Sequence, residues 1–356
     1  MQAWAGEAQP PVVVRCVTLA AAPRAPRGET GTLGCMMSDP ESPQPIAQRA
    51  SALLADLIAR ADRYPRPKWD EIAERIAQTE PTNEHAVWWD VALGWVEQHC
   101  AAAGKNYWCT YSQNFLLASP LSKRQAENLL VFSERARRGI TKALVGLAGT
   151  YGFGPHVVLL FATEEEYYDY IGPFYPDGAH YAASSGVHLD HGYGHFALPP
   201  AETDFLESVV AHELTHALVS HLPLPRWLNE GMAVNLESAL CPRFARKLEL
   251  GWLERHQIWW DSESVQKYWS GQAFRSPDKL SALSYELAWV TVRSLAENYE
   301  VFRLFVSEAT YEDAGQSASH LHFGHGLGLH FEPILGEGNW DPDPSAWSYE
   351  KSADAA

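Results

Sequence analysis

The chain has 356 residues, 46% of them hydrophobic and 20% charged, enough to bury a large core in one large domain with an appendage or in two domains. With 44 acidic against 27 basic residues its formal net charge is −17, which repels polyanions and argues against nucleic acid and anionic membrane surfaces as partners. No apolar run approaches the ~20 residues needed to cross a bilayer, so a soluble protein without a membrane span is expected.

Residues 1–45 are rich in Pro, Ala, Gly and Ser and read as a disordered leader. The one apolar run there is broken by Arg15 with no basic residue before it, which argues against a signal peptide and for a cytoplasmic protein. Five cysteines lack CxxC spacing, so neither a thiolate metal site nor a disulfide framework is indicated, and a pairing of Cys100 with Cys109 requires export. From 46 to 105 the pattern is helical: "IAQRASALLADLIARA" (46–61), "WDEIAERIAQ" (69–78) and "HAVWWDVALGWVEQHCAAAG" (85–104) repeat apolar residues at three and four.

The character then changes. "NYWCTYSQNFLLAS" (106–119) has the content of strand, and "SKRQAENLLVFSERARRGITKALVGL" (122–147) is a long amphipathic helix. "HVVLLFAT" (156–163) reads as a buried strand, "TEEEYYDYI" (163–171) as a short helix capped by Thr163, and "SGVHLDHGYGHFALPP" (185–200) as a hairpin.

A further helix begins near Thr203, with Asp204 and Glu207 spaced for a variant capping box, and must stop before Pro223. Another carries "WLNEGMAVNLESAL" (227–240). Beyond it, "ARKLELGWLERH" (245–256) is expected to be helical and "IWWDSESVQKYW" (258–269) an aromatic-rich connection. Two more helices follow, "LSYELAWVTVRSLAENY" (283–299) and "EVFRLFVSEAT" (300–310), and residues 341–356 read as a flexible tail.

The chemistry concentrates in "SVVAHELTHALVSHLPLPRWLNEGMA" (208–233). At about 100° per residue, His212 and His216 are offset by only about 40° on one helix face and stand one turn apart. Their imidazoles can reach one zinc ion, and Glu213 at the edge of that face is placed to touch the water the metal activates rather than the metal.

Two residues compete for the third ligand position. His221 would lie about 140° from His216 if the helix persisted, which suits a helix terminus or solvent better than ligation. Glu230 fits better, because Pro223 and Pro225 force a turn and "RWLNEGMA" begins a new helix able to return over the first. Two histidines and one glutamate leave a fourth position open to water, the mark of a catalytic rather than a structural zinc.

These residues resemble the gluzincin metallopeptidases of the peptidase MA-like group, which carry HExxH followed by the glutamate of a W-x-x-E-G-x-A segment. The resemblance covers roughly 110–340 and is most specific in 208–233. It implies an α+β fold: a zincin-like domain over 106–340, mainly helical with a small mixed sheet and edge hairpin, preceded by the helical N-terminal region. It implies a zinc metallopeptidase acting on peptide or protein substrates, with Glu213 as general base.

The resemblance further implies that Tyr285 points at the site and stabilises the oxyanion of the tetrahedral intermediate. By its helix pattern alone the same residue is equally a core tyrosine. Where the thermolysin-like branch has an Asp four residues after the third ligand, this chain has Val234. Glu237, about two helical turns after Glu230, is on the same face and is either a partner for a zinc-bound histidine or a solvent-facing residue.

His188, His191 and His195 on the hairpin, and the four histidines of "SHLHFGHGLGLHF" (319–331), are read as turn, surface or loop residues ahead of a second metal site. Trp259, Trp260, Tyr268 and Trp269 are read as packing ahead of a specificity pocket. The function from a different class is a catalytically silent zincin-fold scaffold or interaction module. Oligomeric state is not encoded in any feature of the chain.

Overall fold

The computed structural model describes residues 15–17, 57–59, 63–78, 84–149, 154–175, 185–276 and 278–347. The chain divides into two compact units, Met1–Glu134 with Gly152–Tyr175 and Leu189–Pro200, and Arg135–Tyr151 with Pro176–His188 and Ala201–Ala356. Together they make a mixed α+β protein. No helix among the described residues is long and apolar enough to cross a membrane.

A mixed sheet has the strands β1 (Arg15–Val17), β4 (Trp108–Tyr111), β5 (Phe115–Ser119), β6 (His156–Leu160), β7 (Val187–Leu189) and β8 (His195–Leu198), in the order β1-β4-β5-β6-β8-β7, and all but Val187 and His188 of β7 belong to the first unit. A separate two-residue pair joins β2 (Ile58–Ala59) to β3 (Arg66–Pro67). Strands β4 and β5 are antiparallel, with Trp108 opposite Ser119, while β5–β6 and β6–β8 are parallel. All five residues of β5 and all four of β8 are buried, as parallel strands covered on both faces require.

Helix α2 (Glu84–Ala103) packs on β4 and β5 and buries Val87, Val91, Trp95 and Cys100. The tight β4–β5 connection is held by Glu134, whose buried carboxylate accepts from Ser112 Oγ at 2.8 Å and from Asn114 N and Nδ2 at 2.8 and 2.9 Å. Gly192 in the "DHGYG" turn has φ +70°, and an added Cβ would sit 2.3 Å from the Trp69 ring, so only glycine fits there.

Several expectations hold in detail: helices α1 (Trp69–Ala77), α2 and α3 (Lys123–Ala143), strand β6, and helix α4 (Glu164–Ile171) with Thr163 Oγ1 accepting from Glu166 N at 3.1 Å. Others need correction. Ile58–Ala59, inside the segment read as helix 46–61, pairs with β3, and most of that segment lies outside the described residues. Of the leader, only Arg15–Val17 is described, paired with β4; the rest lies outside the described residues. Cys100, Cys109 and Cys241 are buried free thiols.

His195 is a core residue. Its Nδ1 donates to Tyr193 O at 2.7 Å, which leaves Nε2 to accept the Tyr170 hydroxyl at 2.7 Å.

The second unit is helical. Helix α5 (Thr203–Val219) and helix α6 (Arg226–Leu240) pack together, and α9 (Lys279–Leu295) lies on α6. Gly231 permits that approach, because a Cβ there would meet Val292 Cγ2 at 2.4 Å and the Ala288 carbonyl at 2.7 Å. Asn235 Nδ2 ties the pair by donating to both Gly231 O and Trp289 O, at 2.7 and 2.9 Å.

Helices α7 (Trp252–Trp259), α8 (Ser264–Trp269), α10 (Tyr299–Glu308), α11 (Gln316–His322) and α12 (Glu332–Leu335) complete the unit. Trp269 stacks on Phe331 with ring centroids 4.6 Å apart and donates to Trp340 O, and Trp260 and Tyr268 are buried, so these three are packing, whereas Trp259 is exposed. Residues 341–347 lie against α8, where Gln266 bonds Asp341 O, Asp343 N and the Trp347 indole.

Four readings of this unit change. The segment 258–269, read as a connection, is helical at both ends, α7 reaching Trp259 and α8 spanning Ser264–Trp269. The capping box at the start of α5 does not form: extended Glu202 is the N-cap residue without a side-chain bond, and Asp204, already inside the first turn, pairs with Arg243. The helix expected over 245–256 begins only at Trp252, with left-handed Gly251 (φ +79°) as its N-cap, and residues 245–249 form no helix. The 319–331 segment is partly helical, α11 reaching His322 and a 3₁₀ turn spanning Leu327–His330.

Candidate metal centre

Helix α5 is apolar nearly all round, burying Leu206, Val209, Val210, Ala211, Leu214, Leu218 and Val219. A buried helix has no solvent to hydrate polar side chains, so each one on it needs an assigned partner. His212 and His216, one turn apart, set their rings 4.8 Å apart at 77°.

Pro225, extended at φ −62° and ψ 144°, is the N-cap of α6. The short turn through Pro223 therefore returns the chain alongside α5. That return places Glu230 Oε2 3.2 Å from His212 Nε2 and 3.5 Å from His216 Nε2. One donor atom from each of His212, His216 and Glu230 lies within 4.8 Å of the others, and among the described residues this is the group of three able to hold a metal ion.

The outer nitrogens of both imidazoles are fixed. His212 Nδ1 is 3.2 Å from Glu237 Oε2, whose other oxygen accepts from Ser208 Oγ at 2.7 Å. His216 Nδ1 is 2.9 Å from Asn229 Oδ1. Because those partners are acceptors, each Nδ1 carries the proton and each Nε2 turns a lone pair toward Glu230. Three electron-pair donors then face one point, an arrangement that a cation resolves. Arg226 Nη1, 3.8 Å from Glu230 Oε1, steadies the outer oxygen of the same carboxylate.

The electrostatics show how strongly this point draws positive charge, a proton on His212 Nε2 included. Burial by itself lowers the His212 pKa, yet the hydrogen bonds to Glu230 and Glu237 outweigh it and push it up to about 10. For Glu230, burial raises the pKa but the neighbouring His216 and His212 drive it well below the usual carboxylate range. Glu237 is likewise lowered, its burial outweighed by the bond to His212. The pocket is built to keep two carboxylates ionised around positive charge.

Glu213 is buried at 8% exposure beside the triad, and its carboxylate makes no hydrogen bond among the described residues. Tyr285, on α9, packs edge-on against Phe274 at 5.2 Å. Its pKa is raised, first by burial and then by the charges of Glu230 and Glu213, so the phenol lies within electrostatic reach of both carboxylates. Its hydroxyl also has no hydrogen-bond partner among the described residues.

His221 does not join the group; it lies just past the end of α5, where burial lowers its pKa. Asn229, Ser208 and Arg226 were not picked out from the sequence. Asn229 had a signal in its position directly before Glu230, which turns it toward the same neighbouring helix.

No family model matches the chain, and no curated protein or solved structure matches it. The functional reading therefore rests on the residues and their geometry.

Proposed function

We propose that the protein is a zinc-dependent metallopeptidase with a zincin-like fold of the gluzincin type, acting on peptide or protein substrates. The observation that carries this reading is the convergence of His212 Nε2, His216 Nε2 and Glu230 Oε2, with Glu213, which has no hydrogen bond among the described residues, next to His212 in the chain. For zinc bonds of about 2.0 to 2.1 Å, the edge of a coordination tetrahedron is about 3.4 Å. The separations of 3.2 and 3.5 Å to Glu230 bracket that value.

Bound zinc would supply Lewis-acid polarisation of the scissile carbonyl and a water acidic enough to ionise near neutrality. The chain's own groups do the rest. Glu213 takes the proton of the attacking water and hands it to the leaving amine, a role that contributes about 10²- to 10⁴-fold in such sites. Tyr285 donates its hydroxyl to the developing oxyanion. Glu237 and Asn229 hold the imidazoles in the tautomer that ligates, and Arg226 holds the ligand carboxylate.

The test is hydrolysis of a broad peptide library by zinc-loaded protein. Cleavage that a chelator abolishes, and that Glu213→Gln abolishes while retaining zinc, supports the reading. A wild-type protein that binds zinc yet cleaves nothing across the library is a scaffold instead.

A further inference from the structure

After α6 ends at Leu240, residues 241–249 form neither helix nor strand. They nonetheless stay with the metal-binding helix, since the Arg246 amide donates to Ser238 Oγ at 3.4 Å. The Arg246 side chain then reaches the site: its guanidinium carbon lies 5.8 Å from the centroid of the Tyr285 ring. The same charge acts on Glu237, the carboxylate that holds His212.

Other arginines of this neighbourhood are engaged. Arg243 pairs with Asp204, Arg226 with Glu230, and Arg255 with Glu286 and Glu249. The Arg246 guanidinium is exposed and has neither an ion pair nor a hydrogen bond among the described residues. A guanidinium lying over an aromatic ring keeps its edge N–H groups free, and those form a planar fork that matches a carboxylate.

The setting gives that fork a purpose. In a chain of formal net charge −17, with Arg226 and the proposed zinc committed to Glu230, a carboxylate of the substrate would need a cation not already engaged to receive it. We propose that Arg246 is a specificity-determining residue that binds a carboxylate of the substrate, favouring peptides with an acidic side chain or a free C-terminus at that position. The inference rests on the metallopeptidase reading for the identity of the reaction, and on the placement of Arg246 for the charge preference.

The test uses zinc-loaded full-length protein and hydroxamate probes that anchor at the metal. Succinic, glutaric and adipic monohydroxamates, each as free acid and as terminal amide, are titrated by calorimetry into wild type, Arg246→Ala and Arg246→Lys. At one chain length or more, the wild type should prefer the acid by about tenfold. Arg246→Ala should reduce that ratio to near one, and Arg246→Lys, which keeps the charge without the fork, should fall between.

Equal binding of acid and amide at every length in wild type, or a preference that survives in Arg246→Ala, overturns the proposal. If no hydroxamate binds zinc-loaded wild type, the metal-site reading fails instead. Cleavage of peptide pairs, internal Glu against Gln and free against amidated C-terminus, then identifies the carboxylate. The arm whose preference is lost in Arg246→Ala through KM names it, and loss in neither arm of a cleaved library overturns the proposal.

Discussion

Replacing Glu237 by alanine removes the oxygen that holds His212 Nδ1 at 3.2 Å and leaves the remaining ligand atoms in place. A hydrogen bond to an ionised partner contributes about 1.5 to 3 kcal/mol, and the Glu237 side chain is 21% exposed, which argues for the lower half of that range. The corresponding loss in zinc affinity is about 10- to 100-fold, the range seen when partners of metal-bound histidines are removed. Ser208 Oγ also loses its acceptor, so a fold-stability cost of about 1 kcal/mol accompanies the change and is read separately by thermal melting.

Competitive titration against a chromophoric chelator measures the affinity. Glu237→Gln serves as the companion variant: its amide oxygen still accepts from Nδ1, and because a charged acceptor bonds about twice as strongly as a neutral one, about half of the free-energy loss is expected. Wild-type affinity in Glu237→Ala, or equal losses in the two variants, would refute the role assigned to this carboxylate.

Tyr285→Phe should leave zinc affinity unchanged and lower kcat by about 10²- to 10³-fold, measured on any peptide the wild type cleaves. Gly231→Ala gains about 1 kcal/mol of helix propensity but forces a Cβ against Val292 and the Ala288 carbonyl. Urea unfolding should show a net destabilisation of about 1 to 2 kcal/mol.

His99 is fully buried, stacks on Tyr64 with ring centroids 4.8 Å apart, and has no hydrogen-bond partner on either ring nitrogen among the described residues. Burial, with smaller contributions from nearby positive charges, lowers its pKa from 6.5 to about 3. Folded His99 stays neutral while the unfolded chain takes up a proton below pH 6.5. Stability is therefore unaffected above that pH and falls as pH drops from 6.5 toward about 3. Between pH 7 and 5 the wild type should lose about 2 kcal/mol more than His99→Phe in urea unfolding, and equal losses would refute the argument.

The gathering of His212, His216 and Glu230 into a group able to hold a metal ion was legible because helix periodicity alone aligns His212 with His216, and two prolines dictate where the next helix can begin. The role of Glu237 was half legible. Two turns of helix put it on the face of Glu230, but whether that face meets His212 depends on how α6 lies along α5, which no local pattern encodes. Arg246 was not legible at all, because it sits in a segment without regular structure whose path is set by scattered tertiary contacts, among them the bond to Ser238 and the Arg243–Asp204 pair. The misread capping box and the displaced start of α7 have local causes. Glu202 took the N-cap position while an ion pair took Asp204, and a left-handed glycine sets the start of α7 at Trp252 in a sequence whose apolar spacing looked helical from 245.

The most direct measurement is the zinc content of the full chain at equilibrium with a free-zinc concentration that saturates the wild type. One ion per chain is expected in wild type and in Glu213→Gln, and close to none in Glu230→Gln. A wild-type chain that retains no zinc at any free concentration, or a Glu230→Gln chain that retains as much as wild type, would contradict the assignment of His212, His216 and Glu230 as the metal ligands.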